Sequence, residues 1–426
     1  MGVPLRAGAG KSIISINAEM LPLDRFIAVH DDLYVRMVII ECGMTICLVS
    51  VEMTSLTDEC VSSLKNYIAK KTKIKEEHIW ICVSHTFSAP HILSQDQRNN
   101  LSQDDRKKTG LLMDALSSAV ENALEDAMHV CEAVFRRGQN TCDINRNRDI
   151  YSDDGWWIGI NPDGISDKTL YTLGFYDKND NPLAVIYNYG IQPSILDGVF
   201  DAEGQRMISA DVSGETSRRV ERALGGNAVA LFLPAASGDQ APKEKAVYKK
   251  ADKNDKLILK KNAEDGFALI AKLGGEFASA VLYCMNTMSV NENIAELQKN
   301  AIPVICPRQQ KPFDGLPEPS KRFVSIPDGE IETRVEFLQL GNDMVIIGVK
   351  PELNCVTALE IKKESPFKHT LITQMVNGGQ KYMADRESYQ RGCYEAMDSF
   401  FAEGSAEIVV KRVCGTLHEI VHKRFC

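Results

Sequence analysis

The chain has 426 residues, 44% hydrophobic and 25% charged, with a formal net charge of -9 at neutral pH. This is an ordinary globular composition, long enough to bury a sizeable core. The acidic balance excludes a nucleic-acid binder, which needs Lys and Arg concentrated against phosphates.

The twelve cysteines form no CxxC pair, and Cys42, Cys47, Cys82 and Cys284 sit inside apolar runs. Reduced thiols in a cytoplasmic protein are expected. The start of the chain lacks an apolar signal core. The apolar stretch Met37 to Val51 is interrupted by Glu41 and too short to span a bilayer, so no stable membrane association is expected.

In chain order, Gly8-Ala9-Gly10-Lys11-Ser12 resembles the end of a phosphate-binding loop. However, Leu5 stands where that motif's first glycine belongs, and strand-like Ile13-Ile14-Ser15-Ile16 follows where a helix is required. An N-terminal strand is the expectation. Leu33 to Ile40 and Thr45 to Val51 read as strands joined by a hairpin through Gly43, and Leu56 to Lys71 has apolar residues at helical spacing. A strand over His78 to Val83 completes a crossover unit. It puts Glu52 and His85 at the same sheet edge.

That strand stops in Ser84-His85-Thr86-Phe87-Ser88-Ala89-Pro90, small and hydroxyl residues around one histidine. Loops past the carboxyl ends of strands gather working groups in α/β proteins, which makes His85 the first candidate. Further on, Ser94 to Lys108 reads as a polar loop, Leu111 to Val130 as a helix and Cys131 to Arg136 as a strand. Trp156 and Trp157 are taken as packing or pocket-wall residues. Strands Leu170 to Tyr176 and Leu183 to Asn188 flank a turn, and the second ends at Tyr189-Gly190-Ile191-Gln192-Pro193.

After a helix over Val212 to Leu224, the run Ala228 to Leu233 breaks at Pro234, close to Asp239. The lysine-rich stretch Lys243 to Lys261 reads as a solvated loop or helix face, and Phe267 to Met288 as an amphipathic helix. Ala301 to Val349 is strand-like, with a turn at Gly341-Asn342-Asp343, and breaks at Lys350-Pro351-Glu352. A loop follows at Asn377 to Tyr382. Helices are expected over Arg386 to Phe401 and Ile408 to Phe425. Four strand ends with one grammar point to a shared mouth.

The order of these breaks resembles the catalytic domain of the neutral/alkaline (non-lysosomal) ceramidase family, zinc-dependent amidases. The resemblance rests on Val49-Ser50-Val51-Glu52, Ser84 to Pro90, Ile144-Asn145-Arg146, Pro182 to Pro193, Ile208 to Asp211, Ala236 to Asp239, Pro351-Glu352 and Tyr382 to Tyr394. It implies an α/β fold with mixed sheets stacked centrally and helices outside, as one catalytic-type domain over 1–426. At this length the family's extra C-terminal immunoglobulin-like domain is not expected.

The resemblance also implies metal ligands at His85, Gln192, Glu352 and Tyr382, with Arg146 and Tyr394 as catalytic residues beside the substrate carbonyl. Two departures matter. Phe87 replaces the second histidine of the family's His-Thr-His, and Gln192 replaces its zinc-binding histidine. A neutral amide is a poorer zinc ligand than imidazole, so the resemblance implies Zn2+ or another divalent cation at a weakened site, with a harder, oxygen-preferring ion or no metal at all as alternatives and His91 as a substitute donor. Glu52, Asp211 and Asp239 are candidates for orienting His85 or a water. Two functions follow: a metal-dependent hydrolase of an amide or related acyl bond in a soluble small molecule, or a catalytically silent relative that binds a ligand in the inherited pocket.

Overall fold

The computed structural model describes residues 3–124, 128–149, 156–251, 257–262, 265–287, 294–310 and 323–423. Two-residue alternation of apolar side chains lays down its centre. In the strand Met44–Val51, Cys47, Val49 and Val51 enter one core while Ile46 and Leu48 enter another. Ile79–Val83 divides likewise, with Ile79, Ile81 and Val83 on one side and Trp80 and Cys82 on the other. Strands apolar at both parities must be covered on both faces.

They belong to an eight-stranded mixed sheet. Its order is Val229–Pro234, Pro182–Tyr189, Thr169–Asp177, His129–Gln139, Arg6–Ile13, Tyr34–Cys42, Met44–Val51, Ile79–Val83. A second sheet runs Leu297–Gln309, Pro327–Leu340, Met344–Val349, His369–Thr373. The two stack face to face, with Leu48, Trp80 and Leu231 of the first packed in one cluster with Leu338, Ile346 and Leu371 of the second. On the outer face of the larger sheet lie the helices Asp58–Thr72 and Gln103–Asn122, then Asp211–Ala223 and Gly266–Asn286. Cys355–Glu364 and Ser405–His422 cover the smaller sheet. Helices outside stacked mixed sheets is the α/β architecture that the resemblance implied.

Local chemistry sets the helix ends. Thr57 caps Asp58–Thr72 by accepting the Cys60 N–H, and Lys73 closes it in the left-handed region at φ 64°. Gly274 lets Gly266–Asn286 approach its neighbour: a Cβ there would lie 2.5 Å from Glu215 Cγ. Behind this contact Phe277 is fully buried against Tyr187, Tyr189 and Phe232. Burying one such ring contributes roughly 1.5–3 kcal/mol.

Three segments differ from their sequence patterns. Ser94 to Lys108 is helical, because Ser94 and Gln97 form a reciprocal capping box ahead of Gln95–Asn99, and Ser102 then caps Gln103–Asn122. Its polarity marks a solvated helix face. The lysine-rich stretch carries a hairpin of Val247–Ala251 with Leu257–Lys261. The helix expected over Arg386 to Phe401 is two short ones, Arg386–Arg391 and Tyr394–Met397, parted by Gly392 at φ 61°. The Trp156 and Trp157 side chains lie outside the described residues.

Parallel pairs make the strand ends coincide. Met44–Val51 is parallel to Ile79–Val83, Pro182–Tyr189 to Val229–Pro234, and Met344–Val349 to His369–Thr373. The sheets are stitched at this edge by Asn188, whose Nδ2 donates to the Leu233 and Ile372 carbonyls, both at 2.9 Å.

Candidate functional site

Past Val83 the chain keeps bonding to the end of its parallel neighbour: Ser84 N–H reaches Val51 O at 2.8 Å and His85 N–H reaches Met53 O at 3.1 Å. The backbone then reverses, with His85 at φ 65°, a conformation few residues other than glycine adopt. Its imidazole points inward and is 6% exposed. Nδ1 lies 2.6 Å from the Thr54 carbonyl, which only accepts, so Nδ1 carries a proton. Nε2 is 3.2 Å from Glu352 Oε2, within ion-pair reach but without hydrogen-bond alignment. Burial opposes charge on His85, yet the adjacent Glu352 carboxylate outweighs it and raises the pKa.

Glu352 and Tyr382 are joined by backbone pairing. Glu352–Leu353 and Tyr382–Met383 form a short parallel ladder, which sets these two residues side by side although thirty positions separate them in sequence. Gln192, fully buried in the break after Pro182–Tyr189, donates from Nε2 to Glu352 Oε2 at 2.8 Å. Its Oε1 accepts from Arg146 Nη1 at 2.5 Å. Phe87 N–H ties the His85 loop to this break through the Pro193 carbonyl at 3.0 Å. The Phe87 ring stands edge-on to His85 at 4.8 Å.

Arg146 enters from the strand Asp143–Asp149. Its Nε donates to Glu395 Oε1 at 2.9 Å, and its guanidinium carbon lies 5.5 Å from the ring centres of both Tyr382 and Tyr394. The two rings meet edge to face at 5.6 Å. Burial holds both phenols well above their ordinary pKa, so they remain proton donors. The Tyr394 hydroxyl makes a long contact to Asp398 Oδ2 at 3.4 Å.

All six residues singled out from the sequence thus meet in one place. No protein-family model matches the chain, and no curated protein matches it in sequence. Among solved structures it is similar to a neutral ceramidase from Pseudomonas aeruginosa, at 15% identity and a TM-score of 0.73 over 100% of this chain and 75% of that one. A second similar structure is a ceramidase complexed with C2, at 15% identity and a TM-score of 0.72 over 99% of this chain and 76% of that one.

The chain has the neutral ceramidase fold.

Within that fold the donor set decides what the site can hold. Catalytic zinc takes three protein ligands from imidazole, thiolate or carboxylate. Among the described residues no three His, Cys, Asp or Glu side chains are grouped to share an ion. Gln192 turns an N–H, which cannot ligate a cation, toward Glu352. Flipping its amide would set N–H against the Arg146 guanidinium and oxygen against the Glu352 carboxylate, two like pairings in a buried site. Arg146 supplies positive charge beside Glu352, and His85 adds to it whenever its Nε2 is protonated. The residues present therefore do not fit zinc or another divalent ion, and the ligand set implied for His85, Gln192, Glu352 and Tyr382 is not the one assembled here.

The expected supporting residues sort differently as well. Glu52 does not orient His85; it accepts from Arg36 Nη1 at 2.5 Å and from the Tyr34 N–H at 2.7 Å. The backbone carbonyl of Thr54 does that job. Asp211 holds the chain beyond Gln192 by accepting the Leu196 N–H at 3.2 Å, and Asp239 accepts from Asn145 at 2.9 Å and from the Cys355 N–H at 2.8 Å. His91 is exposed, paired with Asp24, and takes no part. Glu395 escaped the sequence reading. Fully buried, it holds both Arg146 and, at 2.8 Å, Asn147 Nδ2; its only signal was adjacency to Tyr394.

Proposed function

We propose that this chain takes an acyl-bearing small molecule, a linear amide or related acyl compound, into its ceramidase-type cavity through hydrogen-bond donors and without a metal. The observation that supports this is the continuous chain from Arg146 through Gln192 to Glu352, which spends the metal-facing groups on one another. Donors are left over. Arg146 Nη2, although 2.8 Å from Glu395 Oε1, has no aligned hydrogen bond, and both phenols keep their protons, Tyr394 holding only the 3.4 Å contact to Asp398. A carbonyl oxygen is the complementary acceptor, and the Phe87 ring supplies an apolar edge beside it.

A second reading, hydrolysis of the same acyl bond, is favoured by the state of His85. With Nδ1 anchored on Thr54 and Nε2 free of an aligned partner, it is placed to take a proton from water. The hydroxide would add to the carbonyl carbon, Arg146 and Tyr394 would hold the oxyanion, and Nε2 would return the proton to the departing amine.

The test is calorimetric titration of chelator-treated protein with N-hexanoylethanolamine, beside an assay for released ethanolamine. Binding without turnover that is lost in Arg146→Met supports the first reading. Turnover that disappears in His85→Gln supports the second. Binding that returns only with added zinc overturns both.

A further inference from the structure

Beside the His85 loop lies a cavity of about 270 Å³, whose apolar wall includes Ile27, Leu196, Val199, Phe200, Met207 and Phe267. Four polar residues line it, Ser88, Asp201, Gln205 and Arg206, and Ser88 and Arg206 have unspent hydrogen-bonding capacity. Ser88 is 1% exposed, and its Oγ has no hydrogen-bond partner among the described residues. A buried hydroxyl without a partner calls for one. Arg206 is half-buried, and among the described residues its side chain donates from Nη2 to the Phe87 carbonyl at 2.7 Å. Its guanidinium lies over Phe26 at 4.8 Å and Phe200 at 5.5 Å, and no carboxylate among the described residues forms an ion pair with it. Burial lowers its pKa, and Asp197, Asp24 and Asp211 offset this only from a distance. The remaining acid on the wall, Asp201, is turned into its own loop, where it accepts the N–H groups of Glu203 and Gln205.

We infer that this cavity binds a single-chain amphiphile whose monoanionic head, a carboxylate, accepts from Ser88 Oγ and Arg206 while its chain lies along Ile27, Val199, Phe200 and Met207. One guanidinium and one hydroxyl match one negative charge. Ligand pockets run from roughly 300 to 1,000 Å³, so this one, at about 270 Å³, suits one chain and not two. Its rim opens to solvent through apolar surface, with Ile27 39%, Phe200 43% and Met207 37% exposed, which lets the tail of a longer chain lie outward. Because Arg206 also holds the Phe87 carbonyl, occupancy is felt by the loop that carries His85.

The experiment is calorimetric titration of the full chain with decanoate below its micellar concentration, with decanol and acetate as chain-only and head-only controls. Decanoate is expected to bind at one site and at least about tenfold more tightly than either control. Arg206→Met should weaken it by about tenfold or more. Since Arg206 also supports a loop, Phe200→Asp, at an exposed position, provides a second variant and should abolish binding. Arg146→Met should leave it unchanged. Absence of decanoate binding, equal affinity for decanol, full binding in Phe200→Asp, or loss in Arg146→Met with retention in Arg206→Met would overturn the assignment.

Discussion

The Gln192 amide donates from Nε2 to Glu352 at 2.8 Å and accepts through Oε1 from Arg146 at 2.5 Å, so one neutral side chain bridges a buried anion and a buried cation. An imidazole at this position also carries one donor and one acceptor nitrogen, but its unprotonated nitrogen binds a cation far better than an amide does. Gln192→His should therefore raise zinc affinity by at least about tenfold, as a second imidazole joins His85 and Glu352. Competition with a chromophoric chelator measures this. Equal affinity in a folded variant would show that the cavity is not organised around this bridge.

Glu395 is the anchor of Arg146 and is fully buried. Removing one partner of a buried pair strands the other, at a cost of roughly 3–5 kcal/mol. Glu395→Ala should lower stability by about that amount in urea unfolding and weaken acyl-ligand binding together with it. Unchanged stability would mean that Arg146 finds another partner.

Glu52 offers the contrast. Its carboxylate serves Arg36, which it shares with Glu221. Glu52→Ala should cost a similar roughly 3–5 kcal/mol, yet at temperatures where the variant is folded it should bind N-hexanoylethanolamine as the parent does. Selective loss of binding would return Glu52 to the site.

Burial raises the Asp211 carboxyl to about 6, against three backbone N–H groups that lower it. The folded state then holds this proton more tightly than the unfolded chain. Its contribution is complete below the unfolded pKa of about 3.9 and is lost as pH rises through about 6. Asp143 and Asp239 behave alike. Urea unfolding between pH 4 and 7 should show a smaller fall in stability for Asp211→Asn than for the parent, whatever the variant's offset. Parallel curves would contradict the shift.

Much of the fold was legible because alternation such as Cys47, Val49, Val51 against Ile46, Leu48 can be satisfied only by a sheet covered on both faces. The strand-end breaks carrying His85, Gln192 and Glu352 were legible for a related reason, since small residues and proline end strands abruptly. Tertiary partners were not legible. Nothing in the string says that Glu52 turns to Arg36 or that Thr54 lends His85 a carbonyl, because each choice depends on chain brought in by the crossover. The helical nature of Gln95–Asn99 was hidden by its polarity, and Glu395 by a helix break at Gly392 that aims it inward.

The absence of a metal requirement is tested most directly by elemental analysis of the unmodified protein, purified without chelator and offered zinc. With one imidazole, one carboxylate and an amide presenting its N–H, less than about a tenth of an equivalent of any divalent ion should remain after desalting. Close to one retained equivalent of zinc, removed together with ligand binding when His85 is replaced, would contradict the metal-free cavity.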